Sequence, residues 1–196
     1  AGNAVARALV KKPEVAISGA KIAANVLTAK LTGAQSAYID VAGLVAGNVS
    51  VTAKYNEGNT RDNAAAQAIL GDTAVSASLA NAQTHVLTAQ DASTVEARVN
   101  LRGTGSTGKM NVLAAGSSTA RAGLEGGAAS VTLLGVGVVK ASAKANASFT
   151  ARMSAEENAD VTVDGDLSVK ADYTADAYAS VAQPAGGVSG VSADVN

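Results

Sequence analysis

Cysteine and tryptophan are absent from this chain of 196 residues, and phenylalanine and histidine occur once each. Without cysteine there is no disulfide framework and no thiolate metal site. With so few large aromatics, the side chains that normally dominate the core of a globule are missing. The interior must be narrow, with backbone layers lying close together. Charge is also scarce in the net: 15 basic residues oppose 16 acidic ones. No basic run goes beyond Lys11–Lys12, so nucleic acid is not expected as a partner. The longest apolar stretch, Leu133 to Val139, is too short to span a bilayer as a helix, and Gly135 and Gly137 interrupt it. No membrane insertion by this segment is expected, and no signal peptide opens it.

Alanine, glycine, valine, serine and threonine make up most of what remains. Alanine favours helix, but the periodicity opposes it. From Val139 to Val181 the odd positions are apolar or glycine, with Glu157 the offender, and the even positions are polar apart from Tyr178. A helix would scatter the two sets around its circumference. An extended chain places one set inside and the other in water. The rhythm returns at Val49, Val51, Ala53 and Tyr55 and at Val95, Ala97, Val99 and Leu101. It outlasts an ordinary strand of about 5–6 residues. Successive strands must therefore bend at corners without losing their facing, which is how a β-solenoid winds. The glycine clusters at 103–108 and 123–127 read as loops or tight corners.

Self-similarity sharpens this expectation. NAVARALV from Asn3 returns as NAAAQAIL from Asn63, with looser echoes in TARAGL from Thr119 and DAYASV from Asp176. VLTAK from Val26 returns as VLTAQ from Val86 and as SFTAR from Ser148. GNVSVTA from Gly47 returns as GKMNVLA from Gly108 and GDLSVKA from Gly165. A fourth set ends at Asn25, Asn81, Asn146 and Asn196. The order is constant and the spacing about 60 residues. Residues 1–196 are thus read as one segment of a longer array, with units at roughly 3–62, 63–118 and 119–175 and a fourth beginning at 176–196. A unit of this size suits two or three coils at about 3.3 Å of rise per residue. The expected fold is all-β, a right-handed parallel β-helix. Small inward side chains contribute only about 1 kcal/mol each by area, so stability must accumulate over stacked neighbours.

Chemistry-bearing residues are few. His85 would have to serve any Ser/His/Asp triad, yet no nucleophile elbow occurs; it reads as a strand or corner residue. Asp160, Asp164, Asp166, Asp172 and Asp176 suggest calcium or a glycosidase pair. Alternation spreads them along an extended face, so a solvated acidic face is expected. Gly103, Gly105 and Gly108 before Lys109 lack the spacing of a phosphate loop. Lys11–Lys12–Pro13 reads as a solvated corner. Tyr38, Tyr55, Tyr173 and Tyr178 are too few for the girdles of a membrane barrel. No catalytic, cofactor-binding or metal-binding residue and no cofactor is assigned, and an enzyme is not expected.

The segments GDLSVKADYTADAYASVA from Gly165 and GNVSVTAKYNEG from Gly47 resemble the repeats of large filamentous bacterial surface proteins, the leukotoxin-type adhesins and the filamentous-haemagglutinin-like exoproteins. The resemblance implies a right-handed β-helix at the cell surface, an extracellular location, and a structural or adhesive role. Its partners would be a host or neighbouring-cell receptor or glycan, with end-to-end self-association into filaments as a further possibility. It carries over no catalytic residue. A phage or viral fibre is one alternative, but a trimeric fibre calls for a heavier apolar seam. A β-helical polysaccharide-binding or polysaccharide-active domain is the other; an active one calls for a charged cluster that breaks the repeat.

Overall fold

A computed structural model describes residues 4–10, 21–70, 81–124, 135–181 and 188–195. Every regular element among them is a strand. In chain order these are β1 (Ala6–Val10), β2 (Lys21–Leu31), β3 (Ala34–Val41), β4 (Leu44–Tyr55), β5 (Ala66–Leu70), β6 (Asn81–Asp91), β7 (Thr94–Leu101), β8 (Gly105–Leu124), β9 (Gly135–Ala145), β10 (Ser148–Ala155), β11 (Val161–Val163), β12 (Leu167–Ser180) and β13 (Val188–Val195). All pairings are parallel. They form a four-stranded sheet β2-β6-β9-β13, a three-stranded sheet β3-β7-β10, and a six-stranded sheet containing β1, β4, β5, β8, β11 and β12.

The register explains the architecture. Ala6 pairs with Ala66, Lys21 with Asn81 and Ala34 with Thr94, a separation of 60 in each of the three sheets. One layer on, Ala66 pairs with Ala120, Asn81 with Gly135 and Thr94 with Ser148, a separation of 54 in each. Between partners the chain visits each sheet once.

The corners keep the facing because the hydrogen-bond ladder runs through them. Between the four- and three-stranded sheets the chain turns at residues 32–33, 92–93 and 146–147. There Ala92 N donates to Leu31 O (2.9 Å) and Asn146 N to Asp91 O (2.9 Å). Thr94 N donates to Gly33 O and Ser148 N to Ser93 O (both 2.8 Å). Backbone polar groups at a bend thus find partners on the neighbouring layer.

Two apolar interiors result. Val49, Val51, Ala53 and Tyr55 of β4 and Met110, Val112 and Ala114 of β8 pack against Val95, Ala97, Val99 and Leu101 of β7 and Phe149 of β10. The second interior is mostly alanine: Ala66, Ala68, Ala120 and Ala122 face Ala89, Ala141 and Ala143, with Leu27, Leu70 and Leu87 between them. The long β8 serves both. The odd residues from Ala141 to Met153, Val161 and Val163, and Ala177 to Val181 face the interior as the alternation requires, but Leu167, Val169 and Tyr173 of β12 are exposed.

Three readings of the repeats are corrected by the register. SFTAR is not the third copy of VLTA: Val86 pairs with Lys140, and Ser148–Arg152 lies on Thr94–Arg98 instead. The asparagine-ended set does not align, since Asn25 pairs with His85 and Asn81 with Gly135. Residues 105–108 are not a loop but the start of β8, and Gly123 lies near its end. Gly108 is required there by close approach, since a Cβ would stand 2.2 Å from Gly47 O on the next layer. Gly103 does lie in the bend between β7 and β8, whereas at Gly108 glycine marks backbone proximity and not a turn.

Candidate ligand surface and a buried hydroxyl network

The first layer bulges where the second does not. Tyr55 pairs with Gly116, 61 positions on, whereas Ala66 pairs with Ala120, 54 on, so 61 − 54 = 7 extra residues loop out between β4 and β5. The run Ser117–Ser118–Thr119, wholly buried, takes up the backbone groups that this loop frees. Ser117 Oγ donates to Asn56 O, and Thr119 Oγ1 accepts from Ala65 N (2.9 Å). Ser118 Oγ accepts from Ala147 N at the opposite corner (3.2 Å). Asn56, with φ of 44°, holds the loop's entry by exchanging two hydrogen bonds with Ala4. Asparagine tolerates this left-handed conformation better than most residues.

Beside the bulge lies a second buried polar group. Asp91 ends β6 with no exposed surface. Tyr55 OH donates to its Oδ1 (3.0 Å), leaving Ser93 Oγ, 2.9 Å away, to donate to the tyrosine oxygen. Gly33 N donates to Ser93 Oγ (3.2 Å), and Ser93 N reaches Asp91 Oδ1 (3.3 Å). Asp91 Oδ2 has no hydrogen-bond partner. Burial pushes the Tyr55 hydroxyl well above its ordinary pKa, and the nearby Asp91 carboxylate adds to the shift. The network is sealed from solvent, so it fixes a corner and offers no access to a substrate. Its aromatic neighbours continue across the layers. Tyr55 meets Phe149 edge-on at 6.3 Å, and Phe149 stacks on Tyr173 at 4.8 Å with an interplanar angle of 4°.

The accessible chemistry is on the outer face of the three-stranded sheet. Even-numbered residues of β3, β7 and β10 point away from the interior, and the register stacks them in columns. One column is Tyr38–Arg98–Arg152, another Ser36–Glu96–Thr150, a third Asp40–Asn100–Ser154. Tyr38 is 62% exposed, and the Arg98 guanidinium lies 5.2 Å from its ring centroid. Such a cation–π contact contributes about 0.5–1 kcal/mol at an exposed site. Arg152 pairs with Glu96 (2.7 Å) and Arg102 with Asp40 (3.0 Å). Asn100 Nδ2 donates to Asp40 Oδ1 (3.3 Å), and Ser154 Oγ donates to Asn100 Oδ1 (3.0 Å). The result is an outward-facing surface of stacked charged and hydrogen-bonding groups with one exposed ring.

No family model matches the chain, and no curated protein or solved structure matches it.

The residues singled out in the sequence are dispersed. His85 lies buried in β6, where burial lowers its pKa. Asp160 lies at the corner before β11, while Asp172 and Asp176 lie along exposed β12. Asp166 pairs with Lys109 across layers (3.0 Å), and Asp172 pairs with Lys170 (2.7 Å). Among the described residues no group of three or more His, Asp or Glu is placed to hold a metal ion. Lys109 follows Gly108 within a strand, not at a helix start. Lys11–Lys12–Pro13 lies outside the described residues. Of the tyrosines, Tyr38 alone joins the outer polar face; Tyr55 and Tyr173 join the aromatic column, and Tyr178 is half-buried on β12. The columns on β3, β7 and β10 escape sequence reading because their members lie 54 or 60 positions apart. Only the repeat register, applied position by position, reveals them.

Proposed function

We propose that this chain is a right-handed β-solenoid in which each unit of about 60 residues makes one revolution, and that it serves as a non-catalytic structural and adhesive segment of a large extracellular bacterial surface filament. The observation that carries this reading is that one ladder in each of the three sheets shares a separation of 60 and then 54, with the remaining ladders between 52 and 61. These similar separations support layers that stack as whole circuits. Such stacking adds length without changing cross-section, which is what a stalk or filament needs. The polar face of β3, β7 and β10 is open to solvent, and the networked carboxylate of Asp91 is closed to it. That distribution suits contact with a large surface better than turnover of a small substrate.

The test is to duplicate residues 66–119, one complete 54-residue period, within the full chain. The particle should lengthen by about 4.8 Å, the spacing of neighbouring strands, with an unchanged cross-section in small-angle scattering. An unchanged length with a wider cross-section would overturn the solenoid. Two or three increments of that spacing would overturn one revolution per unit.

A further inference from the structure

We infer that the Tyr38–Arg98–Arg152 column is a binding track for an extended, carboxylate-bearing polysaccharide; this rests on the adhesive reading above and names its ligand. Three features point there. First, Arg98 and Arg152 are direct partners on adjacent strands. Like charges so placed repel unless anions are supplied. Glu96 neutralises Arg152 and Asp40 neutralises Arg102. Arg98 has, among the described residues, only the Tyr38 ring. One guanidinium at the centre of the face thus lacks a counter-charge, and a carboxylate is the anion its planar fork binds in two-point fashion.

Second, Tyr38 supplies an exposed ring beside that guanidinium, a surface for the C–H groups of a sugar. Asn100 and Ser154 supply amide and hydroxyl groups one column away for sugar hydroxyls. A simple inorganic anion would use neither. Third, the column advances one side chain per layer, about 4.8 Å, which is close to the length of one sugar in an extended chain. A linear polymer lying along the stacking direction would present successive sugars to Tyr38, Arg98 and Arg152.

The test is calorimetric titration of the full chain with polygalacturonate, with its methyl-esterified form and with poly-glutamate. The expected result is binding of polygalacturonate that esterification abolishes, weak binding of poly-glutamate, and at least a tenfold loss in Arg98→Ala and in Tyr38→Ala. Lys170→Ala, on the outer face of β12, should change affinity less than twofold. Circular dichroism should be unchanged in Arg98→Ala and the thermal midpoint should fall by no more than about 4 °C, since only an exposed cation–π contact is lost. No binding of polygalacturonate would overturn the inference, as would equal binding of the esterified polymer or of poly-glutamate, or an equal loss in Lys170→Ala. These outcomes leave the rod-length test untouched, so failure of the ligand and failure of the solenoid are read separately.

Discussion

At single positions, backbone proximity and buried polarity decide stability more than side-chain size does. Gly116 has φ of 155°, and a Cβ there would stand 1.9 Å from Tyr55 O. Gly116→Ala should destabilise the fold by more than about 1 kcal/mol, whereas Gly47→Ala, with nothing within 4 Å of the added carbon, should be near neutral; urea midpoints compare them. The Tyr55–Asp91 bond gives a second contrast. Tyr55→Phe removes a donor from a buried carboxylate and should cost about 1–3 kcal/mol. Leu31 occupies the matching position on the preceding layer, so Tyr55→Phe combined with Asp91→Leu should recover much of that loss. His85 makes stability depend on pH. Its folded pKa lies below 6.5, lowered by burial. Below about pH 6.5 the unfolded state therefore binds more protons, and stability falls as pH falls. Denaturation at pH 7 and pH 5 should show this decline, with His85→Gln reducing it. None of these three sites was legible as chemistry in the sequence. Gly116 sits inside a run of small residues, and Asp91 and His85 look like ordinary members of a polar–apolar alternation.

Among the elements, the alternation itself was legible, and for a physical reason: a strand with one face dry and one wet must alternate. The alternation in β10 could be read because Phe149, Ala151 and Met153 pack inward; β12 alternates in sequence although residues 167–176 are exposed on both faces. The second interior was legible only as composition. Its alanines face one another across sheets, and small inward side chains leave no space for larger ones. Ala120→Leu in β8 should therefore overpack this interior and cost about 1–3 kcal/mol. Lys109→Ala, which breaks an exposed ion pair between layers, should shift stability by less than about 1 kcal/mol; chemical denaturation of both variants checks the contrast. What misled at this scale was glycine. Residues 105–108 have turn composition, but their neighbours on adjacent layers, which the local sequence does not contain, dictate a strand.

Across the whole molecule, the repeat order was visible, and the number of revolutions per unit was not. Period alone cannot separate one wide circuit from two narrow ones; the proposed single revolution rests on the pairing. The registers of 60 and 54 also show why spacing in the sequence looked approximate. The difference is absorbed outside the paired positions, so the ladders stay in step while unit length varies. The proposed one-revolution solenoid has a mechanical consequence. Inter-strand hydrogen bonds lie along the stacking direction, so a pull along that direction strains one seam and not all seams together. Each detached revolution then releases 54–60 residues, about 200 Å of slack at roughly 3.5 Å per residue. Such a tether yields by paying out slack in large, discrete steps, limiting the load transmitted to whatever its far end holds.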